Sequence, residues 1–405
     1  MPHDRLDAIL LSEIADLTAA GTDKGTESVI TDVMPPTGGL GRRYVLAGGD
    51  IGYLRMNSNS YLGLSHHPAV VEAEEQATRR FGVGPGAVRF ISGTYQPHVD
   101  LESTLAGFHG RGAAILYSSA YAAVVSTLAS LVTPETVVFS DALNHNCIIN
   151  ALRLARPAAR HVYSHLDYDG LVEGLSGAGA DGRRAVIVTD GVFSMRGDFA
   201  DLASLAEIAR ENDSLFEENV VLVVDDSHGV GAFGATGRGT EEETGGAADI
   251  LIGTLGKAFG VNGGYVVGAE AVIRYVRERG PMYIYSNPIT VGEAAAAQAS
   301  INILTSSEGT ELLAHLRDMT KRFESGLLDL GMETIPGPHP VVPLMVRDTG
   351  RTKAIVTALH EAGILATGLS FPVVPAGDEE IRFQVNADHT PCDIDYVLEI
   401  LGAQA

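Results

Sequence analysis

Lys257 stands in the segment Gly253-Thr254-Leu255-Gly256-Lys257-Ala258-Phe259-Gly260, directly after the apolar run Ile250-Leu251-Ile252. A lysine where a buried strand gives out is costly unless it is neutralised, paired or used covalently. Small neighbours leave room for a flat molecule to approach it. A surface lysine on a loop would be the ordinary reading of this segment alone. A second segment, Val223-Val224-Asp225-Asp226-Ser227-His228-Gly229, changes the balance. There an apolar run delivers an acid and a histidine to what the pattern places at the same rim. An amine able to form a Schiff base, with a carboxylate that keeps a pyridine nitrogen protonated, is what pyridoxal 5′-phosphate (PLP) requires.

Asp225 follows the unbroken apolar stretch Val220 to Val224, so desolvation is expected. A buried carboxylate stays ionised beside a cation, and a pyridinium nitrogen would supply one. His228 could hydrogen-bond the phenolic oxygen of such a cofactor. The plainer alternative is a helix-capping acid with a structural histidine. A metal reading of Asp225, Asp226 and His228 lacks a further spaced set of ligands. Ser118-Ser119-Ala120-Tyr121-Ala122 follows another strand and opens the helical pattern Ala122 to Leu131. Free amides and hydroxyls at such a start could cradle a phosphate, although serine is also an ordinary N-cap. Thr254 could offer a hydroxyl to the same phosphate. His145, at the end of Ser140-Asp141-Ala142-Leu143-Asn144-His145, could stack on a pyridine ring, or serve as a core histidine. Arg382, inside Ile381-Arg382-Phe383-Gln384-Val385, could hold a carboxylate in a bidentate grip; an edge-strand arginine on solvent fits as well. Gly82-Val83-Gly84-Pro85-Gly86 follows the charged helical pattern Glu72 to Arg80 instead of a strand, so a dinucleotide fingerprint is rejected.

The elements that must position these groups are short. Residues 113–117, 136–139, 185–188, 220–224 and 250–252 are apolar runs of the kind buried on both faces of a parallel sheet wrapped by helices. Each empties polar residues at its end: Ser118-Ser119, Ser140-Asp141, Thr189-Asp190, Asp225-Asp226, and Thr254 leading to Lys257. Ligands of open parallel sheets sit outside the carboxyl ends of the strands. That edge is therefore read as a site. Residues 1–50 are expected to form an N-terminal helix (Leu6 to Leu17) and an extended arm (Gly21 to Arg43) that needs a partner subunit to lie on. Residues 51–290 are read as a large domain. Residues 291–405 are read as a smaller α+β domain with an antiparallel sheet, containing the helix Glu293 to Leu304, the strand Pro340 to Val346, a helix near Ala354 to Ala362, and the strand of Arg382.

With 405 residues, 45% hydrophobic and 20% charged, the composition is that of a globular protein with a large core. A net charge of −23 argues against nucleic-acid partners, and any anionic substrate would need a local basic patch. No apolar run reaches membrane-span length and Met1 opens no basic-then-apolar leader, so a cytoplasmic location is expected. Cys147 and Cys392 are too few and too far apart for a metal set or disulfide framework.

Taken together, Asn59-Ser60-Tyr61-Leu62-Gly63-Leu64, Val88-Arg89-Phe90-Ile91-Ser92-Gly93-Thr94, Asp225 to Gly239, and Thr254-Leu255-Gly256-Lys257 resemble the α-oxoamine synthase family of fold-type I PLP enzymes. The similarity runs from about Asn57 to Thr390. Ser140 to His145, Gly191-Val192-Phe193-Ser194-Met195, Tyr285-Ser286-Asn287 and Phe371-Pro372-Val373-Val374-Pro375 look most like the 2-amino-3-ketobutyrate CoA ligase (glycine C-acetyltransferase) branch. The resemblance implies a mostly parallel seven-stranded sheet with a smaller C-terminal domain. It implies Lys257 as the Schiff-base lysine, Asp225 on the pyridine nitrogen, His145 stacked on the ring, and His228 and Ser194 near the phenolic oxygen. Ser119, Ala120, Tyr121 and Thr254 would surround the phosphate, joined by Ser286 from a second subunit. Asn59 and Arg382 match positions that bind the amino acid, and the implied assembly is a homodimer with shared sites.

Three residues or segments depart from the family pattern: Ser60 where Asn or Asp is usual beside the substrate, Val124 where asparagine is common, and Tyr95-Gln96-Pro97 before His98. The implied reaction joins an amino acid, glycine favoured, to an acyl thioester carried by coenzyme A or a carrier protein. The product is an α-amino-β-keto acid or its decarboxylated α-aminoketone. A PLP-dependent lyase, aldolase or cyclase would use the same α-carbanion without a thioester.

Overall fold

The computed structural model describes residues 3–20, 22–23, 25–179, 182–371 and 373–404. Gly21, where the arm was expected to begin, and Pro372 of the Phe371 to Pro375 segment lie outside them.

Runs of valine, isoleucine and leucine favour pleated backbone buried on both faces, and here they build one seven-stranded sheet. Its spatial order is Ala113–Tyr117, Gly264–Gly268, Ile250–Thr254, Val220–Asp225, Arg184–Asp190, Thr136–Asp141 and Ala159–Tyr163. All run parallel except Gly264–Gly268, which is antiparallel to both neighbours. Alternate side chains feed two apolar layers, Val137, Ile187 and Leu251 on one face and Val138, Val186 and Ile252 on the other.

Register decides what meets at the carboxyl edge. Asp190 lies opposite Asp225, and Thr254 lies opposite Gly264, which in turn lies opposite Tyr117. Gly264 is required there: a Cβ would come within 2.3 Å of Ala120 N, so only glycine lets the following helix start rest on the sheet. That helix, Ala120–Leu131, is capped by Ser119 Oγ accepting from Ala122 N at 3.1 Å. Asn146–Ala155 is capped by His145 Nδ1 accepting from Cys147 N at 3.2 Å.

Two smaller sheets complete the fold. Val341–Met345, Glu380–Gln384 and Thr367–Leu369 form an antiparallel sheet, packed through Phe383 on Phe323 of the long helix Ser307–Asp329. A four-stranded sheet links Ile30–Met34, Arg43–Leu46 and Gly52–Arg55 to Ile364–Leu365. Arg43 and Gly41 also bind the buried Asp393 carboxylate. The helix Asp4–Ala19 buries none of its residues; Leu6, Ile9, Leu10, Leu11, Ile14 and Leu17 are exposed. No helix among the described residues is long and apolar enough to cross a membrane.

Candidate active site

The carboxyl edge of the large sheet opens into a cavity of about 220 Å³ lined by Ala120, Tyr121, His145, Cys147, Asp190, Val192, Ser194, Asp225, Ser227, His228, Thr254 and Lys257. The ends of the parallel strands in the middle of the sheet supply most of it. Ile250–Thr254 delivers Thr254 and then Lys257, Val220–Asp225 delivers Asp225, and Arg184–Asp190 delivers Asp190. The helix start after Ala113–Tyr117 brings Ala120 and Tyr121.

Asp225 is buried and held by the next turn. Its Oδ1 accepts the Ser227 hydroxyl at 2.5 Å and the Ser227 amide at 3.2 Å, while Oδ2 lies 3.4 Å from Cys147 Sγ. Asp226, one residue on, faces the opposite side of the sheet and binds the Thr240 amide and hydroxyl. Burial pushes that carboxyl up to about 7, and among the described residues no group of His, Cys, Asp or Glu could hold a metal ion.

Lys257 is half-buried and lines the cavity. Burial lowers its ammonium to about 8, against the opposing pull of Asp225 and Asp190. The amine is thus available as a nucleophile near neutral pH, when an exposed lysine is almost fully charged. Asp190, missing from the sequence reading as a site residue, shares the floor. Its Oδ2 accepts the His145 amide at 2.9 Å, and burial next to the Asp225 charge raises its carboxyl well above the usual range.

Tyr61 is another group the sequence reading did not place at the site. Its hydroxyl lies 2.7 Å from His228 Nδ1, and burial keeps the phenol protonated. Burial, reinforced by Lys257, holds the His228 imidazole well below its ordinary value. A neutral His228 that accepts from Tyr61 at Nδ1 carries its proton on Nε2. His145 is likewise lowered, by burial first and Lys257 second, with Asp225 opposing. Its Nδ1 lies 2.9 Å from Cys147 Sγ.

Of the residues expected at the site, Ala120, Tyr121, His145, Ser194, Asp225, His228, Thr254 and Lys257 line this one cavity. Ser119 caps the adjoining helix. Arg382 adjoins the cavity through Ser194, whose carbonyl accepts from Nη1 at 3.2 Å; Gln384 Oε1, with its amide turned to match, accepts from Nε at 2.5 Å and Nη2 at 3.0 Å. No carboxylate of the described residues pairs with Arg382. Asn59 is linked to His228 through Tyr61, whose hydroxyl is 3.5 Å from Asn59 Oδ1. Ser60 lines a different, smaller cavity with Arg42, Arg55, Asp388 and His389. Ser286 is half-buried and does not line the cavity; its neighbour Tyr285 is 82% exposed.

Sequence signals existed for some of what was missed. Asp190 ends an apolar run as Asp225 does, and Tyr61 sits inside the Asn59 to Leu64 segment. Ser227 and Cys147 carried none, since their roles depend on distances the sequence does not state.

The donor set fits PLP. The first amides of the Ala120–Leu131 helix, at Ala120 and Tyr121, have no protein acceptor among the described residues and open on the cavity beside Thr254. That arrangement suits a phosphate, and the same cavity holds a depressed lysine amine and a buried carboxylate.

The chain belongs to the aminotransferase class I and II family, whose model it matches over residues 51–401. Within it the chain is an α-oxoamine synthase-type, PLP-dependent enzyme. It is 39% identical over 348 residues to 8-amino-7-oxononanoate synthase of Thermosipho melanesiensis, covering 85% of this chain and 86% of that one. It is 36% identical over 398 residues to the mitochondrial 2-amino-3-ketobutyrate coenzyme A ligase of Mus musculus, covering 98% and 92%. Serine palmitoyltransferase of Sphingomonas wittichii superposes with a TM-score of 0.88 at 26% identity over 99% of this chain and 97% of that one. The likeness to the ligase is thus shared with enzymes bearing other names.

Proposed function

We propose that the cavity binds PLP and that the chain joins an amino acid, glycine favoured, to an acyl thioester, releasing the thiol. The product is an α-amino-β-keto acid or its decarboxylated aminoketone. The observation that carries this reading is the Lys257 amine sharing one cavity with the buried Asp225 carboxylate and a helix start fit for phosphate. When bound, PLP supplies an electron sink for the pair left as an amino acid loses its α-proton.

The protein's own groups do the rest. Lys257 would attach the cofactor and, once displaced by substrate, would accept the α-proton at Nζ; burial brings the ammonium down to about 8, so an uncharged fraction exists near neutral pH while the amine stays basic enough to take a proton. Asp225, fixed by Ser227, supplies the negative charge that holds a pyridine nitrogen protonated. His145 lies against one wall as a ring to stack on, its backbone tied to Asp190. His228, oriented by Tyr61, offers Nε2–H to the phenolic oxygen, with Ser194 nearby. Arg382 receives the amino acid's carboxylate, its planar fork already aligned by Gln384 and the Ser194 carbonyl. Asn59 lies behind Tyr61 on the same side.

We place two copies in the working enzyme. The exposed apolar face of Asp4–Ala19 needs cover, and Ser286, away from its own cavity, is assigned to the phosphate of the partner's site. A cytoplasmic location accords with a free thiol, Cys147, beside the catalytic carboxylate.

The test is amino-acid-dependent release of thiol from acyl-CoA by the PLP-loaded protein, scanned over glycine, alanine and serine and over acyl length. Thiol release with one amino acid supports the proposal. An amino acid whose α-proton exchanges while every thioester stays intact would transfer the reading to a lyase, aldolase or cyclase.

A further inference from the structure

His165 lies outside the cavity, yet both its ring nitrogens are engaged. Nδ1 is 3.0 Å from Asp141 Oδ1 and Nε2 is 3.2 Å from Asp198 Oδ2. A neutral imidazole donates from one nitrogen only and would aim a lone pair at the second carboxylate. The geometry calls for the imidazolium.

Each of the two carboxylates governs a segment that lines the cavity. Asp141 Oδ1 also accepts the Leu143 amide at 2.8 Å, and Oδ2 accepts the Leu166 amide at 2.9 Å. These bonds fix the loop that ends at His145. They also hold Leu166 at φ 57°, a left-handed conformation that leucine does not adopt without support. Asp198 closes the turn from Phe193. Its carbonyl accepts the Phe193 amide at 2.9 Å and its Oδ2 takes Arg196 Nε at 2.7 Å. That turn presents Ser194 to the cavity and the Ser194 carbonyl to Arg382. The Phe193 ring stands edge-on to His165 at 4.4 Å between centroids.

We propose that His165 is a positioning residue, a cationic staple that holds the His145 loop and the Ser194 turn, and through Ser194 the guanidinium of Arg382, in one arrangement for capture of the amino acid. The proposal rests on the functional reading above. The charged groups on the ring are Asp141 from its strand and Asp198 from the turn, the latter shared with Arg196. Burial alone would lower the imidazole; the bonds to Asp141 and Asp198 override it and bring the ring up to about 9.

The test compares the full-length wild type with His165→Leu, His165→Gln and His165→Arg. One readout is the KM of each substrate; the other is amide hydrogen exchange, with and without PLP. Loss of charge-assisted hydrogen bonds predicts that H165L raises the amino-acid KM about tenfold and leaves the thioester KM unchanged. The Leu143 and Phe193 amides both exchange faster. H165R, a cation with a two-pronged donor, recovers most of both effects; H165Q, with one amide donor group and no charge, does not. Faster exchange in only one of the two segments would overturn the proposal. So would a uniform fall in stability and turnover with both KM values unmoved. A wild type that turns over no amino acid sinks the functional reading, and the exchange data still judge the staple.

Discussion

Tyr61 and His228 are 167 positions apart in the chain, and the phenol oxygen of one lies 2.7 Å from Nδ1 of the other. The pair is buried, and His339 Nε2 reaches the His228 carbonyl at 3.0 Å from behind. The Tyr61 contact orients the imidazole, and the His339 contact anchors the backbone that carries it. Tyr61→Phe keeps the ring in the core but strands Nδ1 without a partner. An unpaired buried acceptor costs about 1–3 kcal/mol. Denaturant titration of Y61F is expected to reveal that loss, together with a lower kcat at unchanged protein concentration. A variant as stable and active as wild type would mean that Nδ1 has another partner.

Lys257 is held at about 8 by burial. Only the uncharged amine attacks an aldehyde. The cofactor-free protein should therefore capture pyridoxal phosphate faster as pH rises through about 8, then level off. The chain's lysines are Lys24, Lys257, Lys321 and Lys353, and borohydride reduction followed by peptide mapping should find the cofactor on Lys257. Label on any other lysine would reject the assignment.

Arg382 has its fork aligned by two oxygens and no carboxylate of its own among the described residues. Arg382→Lys keeps the charge and loses the bidentate geometry. The expected result is a rise in amino-acid KM of roughly 10–100-fold, one to two charge-assisted bonds' worth, with the thioester KM little changed. Equal effects on both substrates would place Arg382 elsewhere in the reaction.

Asp225 accepts two bonds from Ser227, so Asp225→Asn should fold with the turn largely in place. If Asp225 has the proposed role toward the pyridine nitrogen, removal of its charge is expected to lower kcat by roughly 10²–10³, the scale of a single electrostatic partner to the reacting centre. Steady-state kinetics on the PLP-saturated variant checks this; turnover near wild type would contradict the role.

His165 also sets a pH dependence of stability. Its folded value is up to about 9, above the ordinary 6.5. The contribution is present in full below about 6.5 and is lost as pH rises through 9. Lys257 acts in the opposite sense, since its folded value is depressed. The wild-type-minus-H165Q difference in unfolding free energy isolates the histidine and should shrink between those limits. A difference that grows with pH would contradict the imidazolium.

The large sheet was legible because its strands are buried on both faces, which makes them continuous apolar runs, and because polar residues follow each run. Lys257, Asp225 and His228 could be named on that basis. Gly264–Gly268 could not: it is short and begins at glycine, and its reversed direction has no local signature. Nor could the link between residues 41–56 and the C-terminal region, where Leu54 pairs with Ile364 and Arg43 with Asp393. Such contacts span more than three hundred positions, too far for periodicity to report. Ser60 shows the limit of motif reading, since its segment matches while its side chain faces another cavity. Asp190 and Cys147 reached the site through register and helix capping, which fix distances that spacing alone leaves open.

The most direct test of the central claim is thiol release from acyl-CoA by PLP-loaded wild type and Lys257→Ala, each with and without amino acid. Release is expected from wild type only when both substrates are present, and none from K257A. Thioester left intact in the presence of every amino acid that exchanges its α-proton would contradict it.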